Sequence, residues 1–112
     1  MKLPRFIIIV YFVCLSQISF AGDILKGKEK SASCVACHGA DGISVNPVWP
    51  KLAGQHAKYL ETQLYEFQKG ADGLRNNAVM YGIALTLTDK DIEDISAYYA
   101  SLDKTIGLTD DE

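Results

Sequence analysis

Three residues with strongly reactive side chains stand together in Cys34-Val35-Ala36-Cys37-His38. Two thiols separated by two residues, followed at once by an imidazole, have the spacing of covalent haem c attachment. Each thiol can add across one vinyl group of the porphyrin, and the adjoining imidazole then reaches the iron from one face. One short segment thereby fixes the ring, its orientation and its proximal ligand. Other chemistries ask for more than the sequence holds. A structural zinc site needs four ligands in tetrahedral geometry. Only His56 remains to join Cys34, Cys37 and His38, and the neighbouring Cys37 and His38 would have to share one small ion. A thioredoxin-like redox pair expects a βαβ setting, for which no strand pattern exists. A plain disulfide would leave His38 without a role.

A haem iron needs a sixth ligand or an open position. Beyond Met1 the chain has one thioether, Met80. A methionine in an apolar stretch is more often core filler than a ligand, but a haem expectation reverses that prior. His56 is the rival. It lies only 18 residues after His38, which leaves little chain to pass round the ring.

The elements that must position these groups read as helices. Asp23 can cap a first helix running to about Cys34. Residues 39–54 hold Gly39, Gly42, Pro47, Pro50 and Gly54, a density of turn formers that predicts an ordered loop. From Gln55 to Lys69, Leu60, Leu64 and Phe67 follow the 3.6-residue period, with Gly70 where a helix would end. A polar connector over 71–77 precedes a short helical or irregular segment from Met80 to Leu85. Thr88 and Asp91 form a capping pattern for a last helix, about Asp89 to Ser101, lined by Ile92, Ile95, Tyr99 and Leu102. No sustained two-residue alternation occurs, so the fold class is all-α.

The first 21 residues set the expected compartment. Lys2 and Arg5 precede an apolar run from Phe6, and Ser19-Phe20-Ala21 offers small residues at a cleavage site. The expectation is a signal peptide over 1–21, cleaved after Ala21, with residues 22–112 as one domain exported to the periplasm. The competing reading is an uncleaved anchor, but Ser16, Gln17 and Ser19 interrupt a run already short of the ~20 apolar residues that span a bilayer. Cys14 is discounted as a lipoprotein site because the bulky Val13 precedes it. The whole chain of 112 residues carries a formal net charge of −3. Without Lys2 and Arg5 the balance falls to −5, nine basic against 14 acidic residues. That balance excludes nucleic acid and an anionic membrane surface as natural partners, and leaves proteins. No membrane insertion of the mature chain is expected. Cleavage would also remove Cys14, so both remaining thiols would lie inside the motif. A domain this small has a thin core, to which a buried apolar cofactor would add.

Taken together these residues resemble a class I cytochrome c: Gly27, Cys34-Val35-Ala36-Cys37-His38-Gly39, Pro50-Lys51-Leu52-Ala53-Gly54-Gln55, Met80, and Ala97-Tyr98-Tyr99. The chain is most similar to the bacterial periplasmic kind, whose domains also occur in tandem as di-haem proteins. With one Cys-x-x-Cys-His it reads as a one-haem version. The resemblance implies about four helices wrapped around one haem c, held by thioethers to Cys34 and Cys37 and ligated by His38 and Met80. It implies that Pro50 offers its carbonyl to the Nδ1 proton of His38, which fixes the tautomer and raises ligand basicity. It implies that Gly27 lets the first helix approach Ile95 and Tyr98 closely. Many family members place an aromatic residue one turn later, where this chain has Ser31.

With both axial places filled there is no open site for a substrate, so outer-sphere electron transfer, not enzymatic catalysis, is the expected chemistry. Trp49, Leu52, Leu60, Leu64, Ile83 and Leu85 are candidates to bury the ring, and Arg75, Asn76 and Trp49 to bond a propionate. The expected partners are redox proteins, a respiratory donor complex and a terminal oxidase or reductase, met by a monomer or weak dimer. The alternative is a haem-bearing subunit of a periplasmic oxidoreductase complex, to be told apart by an apolar interface and co-purification at high salt. A peroxidase or gas sensor would need the Met80 position open.

Overall fold

The structure, a computed structural model, describes residues 22–102. The expected leader and the tail from Asp103 lie outside the described residues. Five α-helices follow in order: α1 (Ile24–Lys30), α2 (Ala32–His38), α3 (Ala57–Gln68), α4 (Ala78–Ala84) and α5 (Asp89–Ser101), with a 3₁₀ turn at Gly70–Asp72 between α3 and α4. No strand occurs among the described residues. No helix among them is long and apolar enough to cross a membrane.

The expected single first helix is divided. It stops at Ser31, whose N–H bonds the Gly27 carbonyl while its Oγ donates to the Lys28 carbonyl at 2.7 Å, and α2 restarts at Ala32. A hydroxyl that satisfies a carbonyl three residues back competes with the helical ladder, which explains a break there. Ser31 is buried, where an aromatic ring was the family expectation. The division gives five α-helices where about four were expected.

α1 lies across α5, and Gly27 marks the crossing. A Cβ added at Gly27 would stand 1.9 Å from the Asp94 carbonyl oxygen and 2.8 Å from Tyr98 Cβ. The backbones can approach this closely only because the side chain is missing. Tyr98, one of the expected neighbours, is thus at the crossing, and the Asp94 carbonyl lies nearest of all.

Asp94 itself is fully buried and joins the same pair of helices. Its Oδ1 accepts the Asp23 N–H at 2.7 Å, Lys30 Nζ donates to Oδ2 at 2.8 Å, and Lys90 Nζ lies 3.0 Å from Oδ1. Burial by itself would raise the carboxyl's pKa. The donors from Lys30, Asp23 and Lys90 outweigh that cost and hold it well below the usual carboxylate range.

α5 is entered through a complete capping box: Thr88 Oγ1 accepts the Asp91 N–H at 3.1 Å and the Asp91 carboxylate accepts the Thr88 N–H at 2.9 Å. Its inner face supplies Ile95, Tyr98 and Tyr99 to a core completed by Cys34 and Leu60.

Candidate haem cradle

α2 ends on the functional segment. Gly39 follows His38 with φ +83°, a conformation that lets the chain leave the helix sharply, and a Cβ there would meet the Ile43 carbonyl at 2.3 Å. The loop then folds back upon itself. The Leu52 and Ala53 N–H groups both donate to the Gly42 carbonyl (2.8 and 3.0 Å), and the Gly54 N–H donates to the Tyr99 carbonyl at 2.9 Å. The loop is thereby tied to α5, and its middle lies over the end of α2.

That path brings the Pro50 carbonyl to 2.8 Å from His38 Nδ1. A carbonyl can only accept, so the buried imidazole donates from Nδ1, which leaves Nε2 as the nitrogen whose lone pair a metal can take in the neutral ring.

The helices and loop enclose a cavity of about 540 Å³, within the range of pockets that take cofactors. α2 contributes Cys34, Cys37 and His38, and α4 contributes Val79, Met80 and Ile83. α3 presents Leu60, Gln63, Leu64 and Phe67, the i, i+3, i+4, i+7 stripe of one helical face. Ile95, Ser96 and Tyr99 of α5 and the loop residues Trp49, Pro50 and Leu52 also line it. Leu85, expected beside the ring, is instead exposed and off the cavity wall. It is the C-cap of α4, two residues after Ile83 and so on the opposite side of the helix from the cavity.

His56 is the exposed N-cap residue of α3 and does not line the cavity. Met80 is half-buried on the wall. The residues expected near a propionate, Trp49, Arg75 and Asn76, all line the cavity. The Arg75 guanidinium stands over the Phe67 ring at 5.3 Å, a cation–π arrangement. Lys51 and Arg75 are the charged side chains of the described lining, in a chain with a net negative charge. Cys34 and Cys37 are free thiols, and burial pushes the Cys34 thiol above its usual pKa, so it is held neutral. Burial likewise raises the Tyr99 phenol.

The donor set fits a covalently held porphyrin. Two free thiols and an imidazole held through Nδ1 stand on one element, a thioether stands on another, and the cavity wall they share is largely apolar. Two polar residues, Asn77 and Gln68, were not singled out from the sequence. Both hold the helix that carries Met80, through long-range or capping bonds described below.

The profile of the cytochrome c family matches residues 24–103, and the chain belongs to that family. As such it is an electron-transfer domain of the kind that carries covalently bound haem c. It is 46% identical over 90 residues to cytochrome c4 of Pseudomonas aeruginosa, covering 80% of this chain and 43% of that protein. It is also 46% identical over 81 residues to cytochrome c-554(548) of Halomonas halodenitrificans, covering 72% of this chain and 98% of that protein. Among solved structures, reduced recombinant cytochrome c4 from Pseudomonas stutzeri superposes with a TM-score of 0.70 at 43% identity, over 74% of this chain and 47% of the other. The chain therefore spans about half the length of the cytochrome c4 proteins it matches, and nearly the whole of cytochrome c-554(548).

Proposed function

We propose that this chain is a periplasmic carrier of single electrons with one haem c, bound by thioethers to Cys34 and Cys37 and ligated by His38 Nε2 and the Met80 thioether. The observation that carries the reading is the His38 Nδ1–Pro50 bond of 2.8 Å beside a cavity whose wall also holds Met80. The bond fixes the tautomer that can ligate and makes the imidazole a better donor. A haem in this position supplies a one-electron Fe(III)/Fe(II) couple.

The residues of the chain do the rest. His38 is held against rotation by the Pro50 carbonyl. Leu60, Leu64, Phe67 and Ile83 exclude water from the ring and favour the less charged, reduced state. Met80, a weak thioether donor, favours that state as well. With His38 and Met80 both holding the iron, no position would remain for a substrate, and electrons would pass during brief contacts with other proteins. Export rests on the basic, apolar, small-residue pattern of residues 1–21.

The test is the protein expressed with haem-attachment machinery. Its mass is expected to exceed that of the polypeptide from Gly22 by one haem, and its pyridine haemochrome to report two thioethers. The weak far-red band of ferric, sulfur-ligated haem should vanish in Met80→Ala and persist in His56→Ala. A band lost in His56→Ala and kept in Met80→Ala refutes the ligand assignment, and a bare polypeptide mass refutes the whole reading.

A further inference from the structure

α4 has seven residues, too few to be a stable helix by itself. Most of its backbone groups belong to one end or the other, where intrahelical partners are lacking. Its position must therefore come from outside, and side chains hold it at both ends.

At the start, Asn77 Oδ1 accepts the N–H of Met80 itself at 3.0 Å. At the far end, Gln68, the last residue of α3, donates from Nε2 to two carbonyls, Ala84 at 2.9 Å and Leu87 at 3.2 Å. A primary amide nitrogen has two protons, and both are used. One side chain thus joins the end of α3, the end of α4 and the turn that leads into α5. Between these points the ring of Tyr81 packs against Gly70, where a Cβ would lie 3.0 Å from ring Cε2. Ala84, next to the Gln68 clamp, is fully buried, whereas the segment around Asn77 is exposed.

We propose that Asn77 and Gln68 are positioning residues for the Met80 thioether, fixing α4 so that the sulfur stays on the iron. This rests on the assignment of Met80 as a ligand made above. The physical need is plain: methionine has three rotatable side-chain bonds and a weak donor atom, so little in the side chain itself holds it in place. The backbone must supply the order. Asn77 acts on the Met80 amide directly, and Gln68 acts about one turn later, at Ala84, by preventing the helix from sliding or fraying. Without either, the population in which the sulfur has left the iron increases.

That population is read by a competing ligand, because apparent affinity scales with the fraction of molecules able to bind it. The experiment titrates the ferric holoprotein with imidazole and follows loss of the far-red band. Asn77→Ala and Gln68→Leu are each expected to bind imidazole about five- to tenfold more tightly than the parent, the effect of losing one helix anchor. Asn77→Asp keeps an acceptor oxygen at the same reach and should stay within about twofold of the parent. Asp23→Ala removes a cap of the same kind from α1, where the Asp23 side chain accepts the Lys26 N–H, and should lower stability without raising imidazole affinity.

The proposal is overturned if Asn77→Ala binds imidazole as the parent does, or if Asp23→Ala raises the affinity as much as Asn77→Ala. A parent protein with haem attached but no far-red band would instead overturn the ligand assignment, and this inference with it.

Discussion

Replacing Gly27 by alanine adds one methyl group at the point where α1 crosses α5. That carbon would stand 1.9 Å from the Asp94 carbonyl oxygen, 2.5 Å from the Asp94 carbonyl carbon and 2.8 Å from Tyr98 Cβ. Two of these atoms are backbone and the third is attached to it, so no side-chain rotation relieves the overlap. Reaching an ordinary carbon–oxygen separation of about 3.3 Å requires the helices to part by about 1.4 Å. Forced overpacking of this kind costs about 1–3 kcal/mol. The same displacement pulls Asp23 and Lys30 from Asp94, bonds of 2.7 and 2.8 Å, and weakening a hydrogen bond to a charged group costs about 1.5–3 kcal/mol. Alanine's better helix propensity returns about 1 kcal/mol. The net is a loss of about 3 kcal/mol, and for a domain of this size about 12–24 °C in melting temperature. Thermal unfolding of the holoprotein at pH 7, followed by far-ultraviolet circular dichroism, measures it directly. Because α2 follows α1 immediately and carries Cys34 and His38, the haem spectrum should change before the helices melt. An alanine variant that melts with the parent would show that the crossing is looser than the structure has it, and the argument from close approach would fall.

Gly82 is the matched contrast, since a Cβ there would meet nothing within 4 Å. Gly82→Ala should stabilise the protein by about 0.5–1 kcal/mol, seen as a higher urea midpoint. Asp94→Asn should lower stability at pH 7 by about 2 kcal/mol, because it removes the charge that Lys30 and Lys90 serve. The pH dependence follows from the direction of the shift. A carboxyl whose pKa is lower in the folded than in the unfolded protein contributes fully above the ordinary carboxylate value of 3.8 and loses that contribution as the pH falls below it. The parent should therefore lose stability through this acid range more steeply than Asp94→Asn, and parallel acid titrations of the two would contradict the assignment.

Local signals in the chain were enough for the helices that have them. The Thr88 and Asp91 pair sits three residues apart on one turn, so its geometry is decided by neighbours, and α5 runs over the expected Asp89–Ser101. The Leu60, Leu64 and Phe67 period likewise placed α3 to within two residues, although its cap is His56 and its first residue Ala57. The five-residue motif needs no fold to declare its chemistry, because the two thiols and the imidazole lie within one helical turn and a half of each other. The break at Ser31 was not legible. It depends on whether a serine hydroxyl turns back to a carbonyl or out to water, and the surrounding helices decide that.

What the sequence alone determined was the set of reactive atoms, their order and the helical class, since these follow from residue types and short spacings. Which distant groups meet was decided by packing. Leu85 left the cavity because the end of α4 turns it outward, Asp94 became a buried junction through residues as far away as Asp23, and Gln68 came to hold carbonyls 16 and 19 residues ahead of it. Those meetings depend on how helices cross, and a crossing is fixed by the shapes of two surfaces at once, which no single stretch of chain contains.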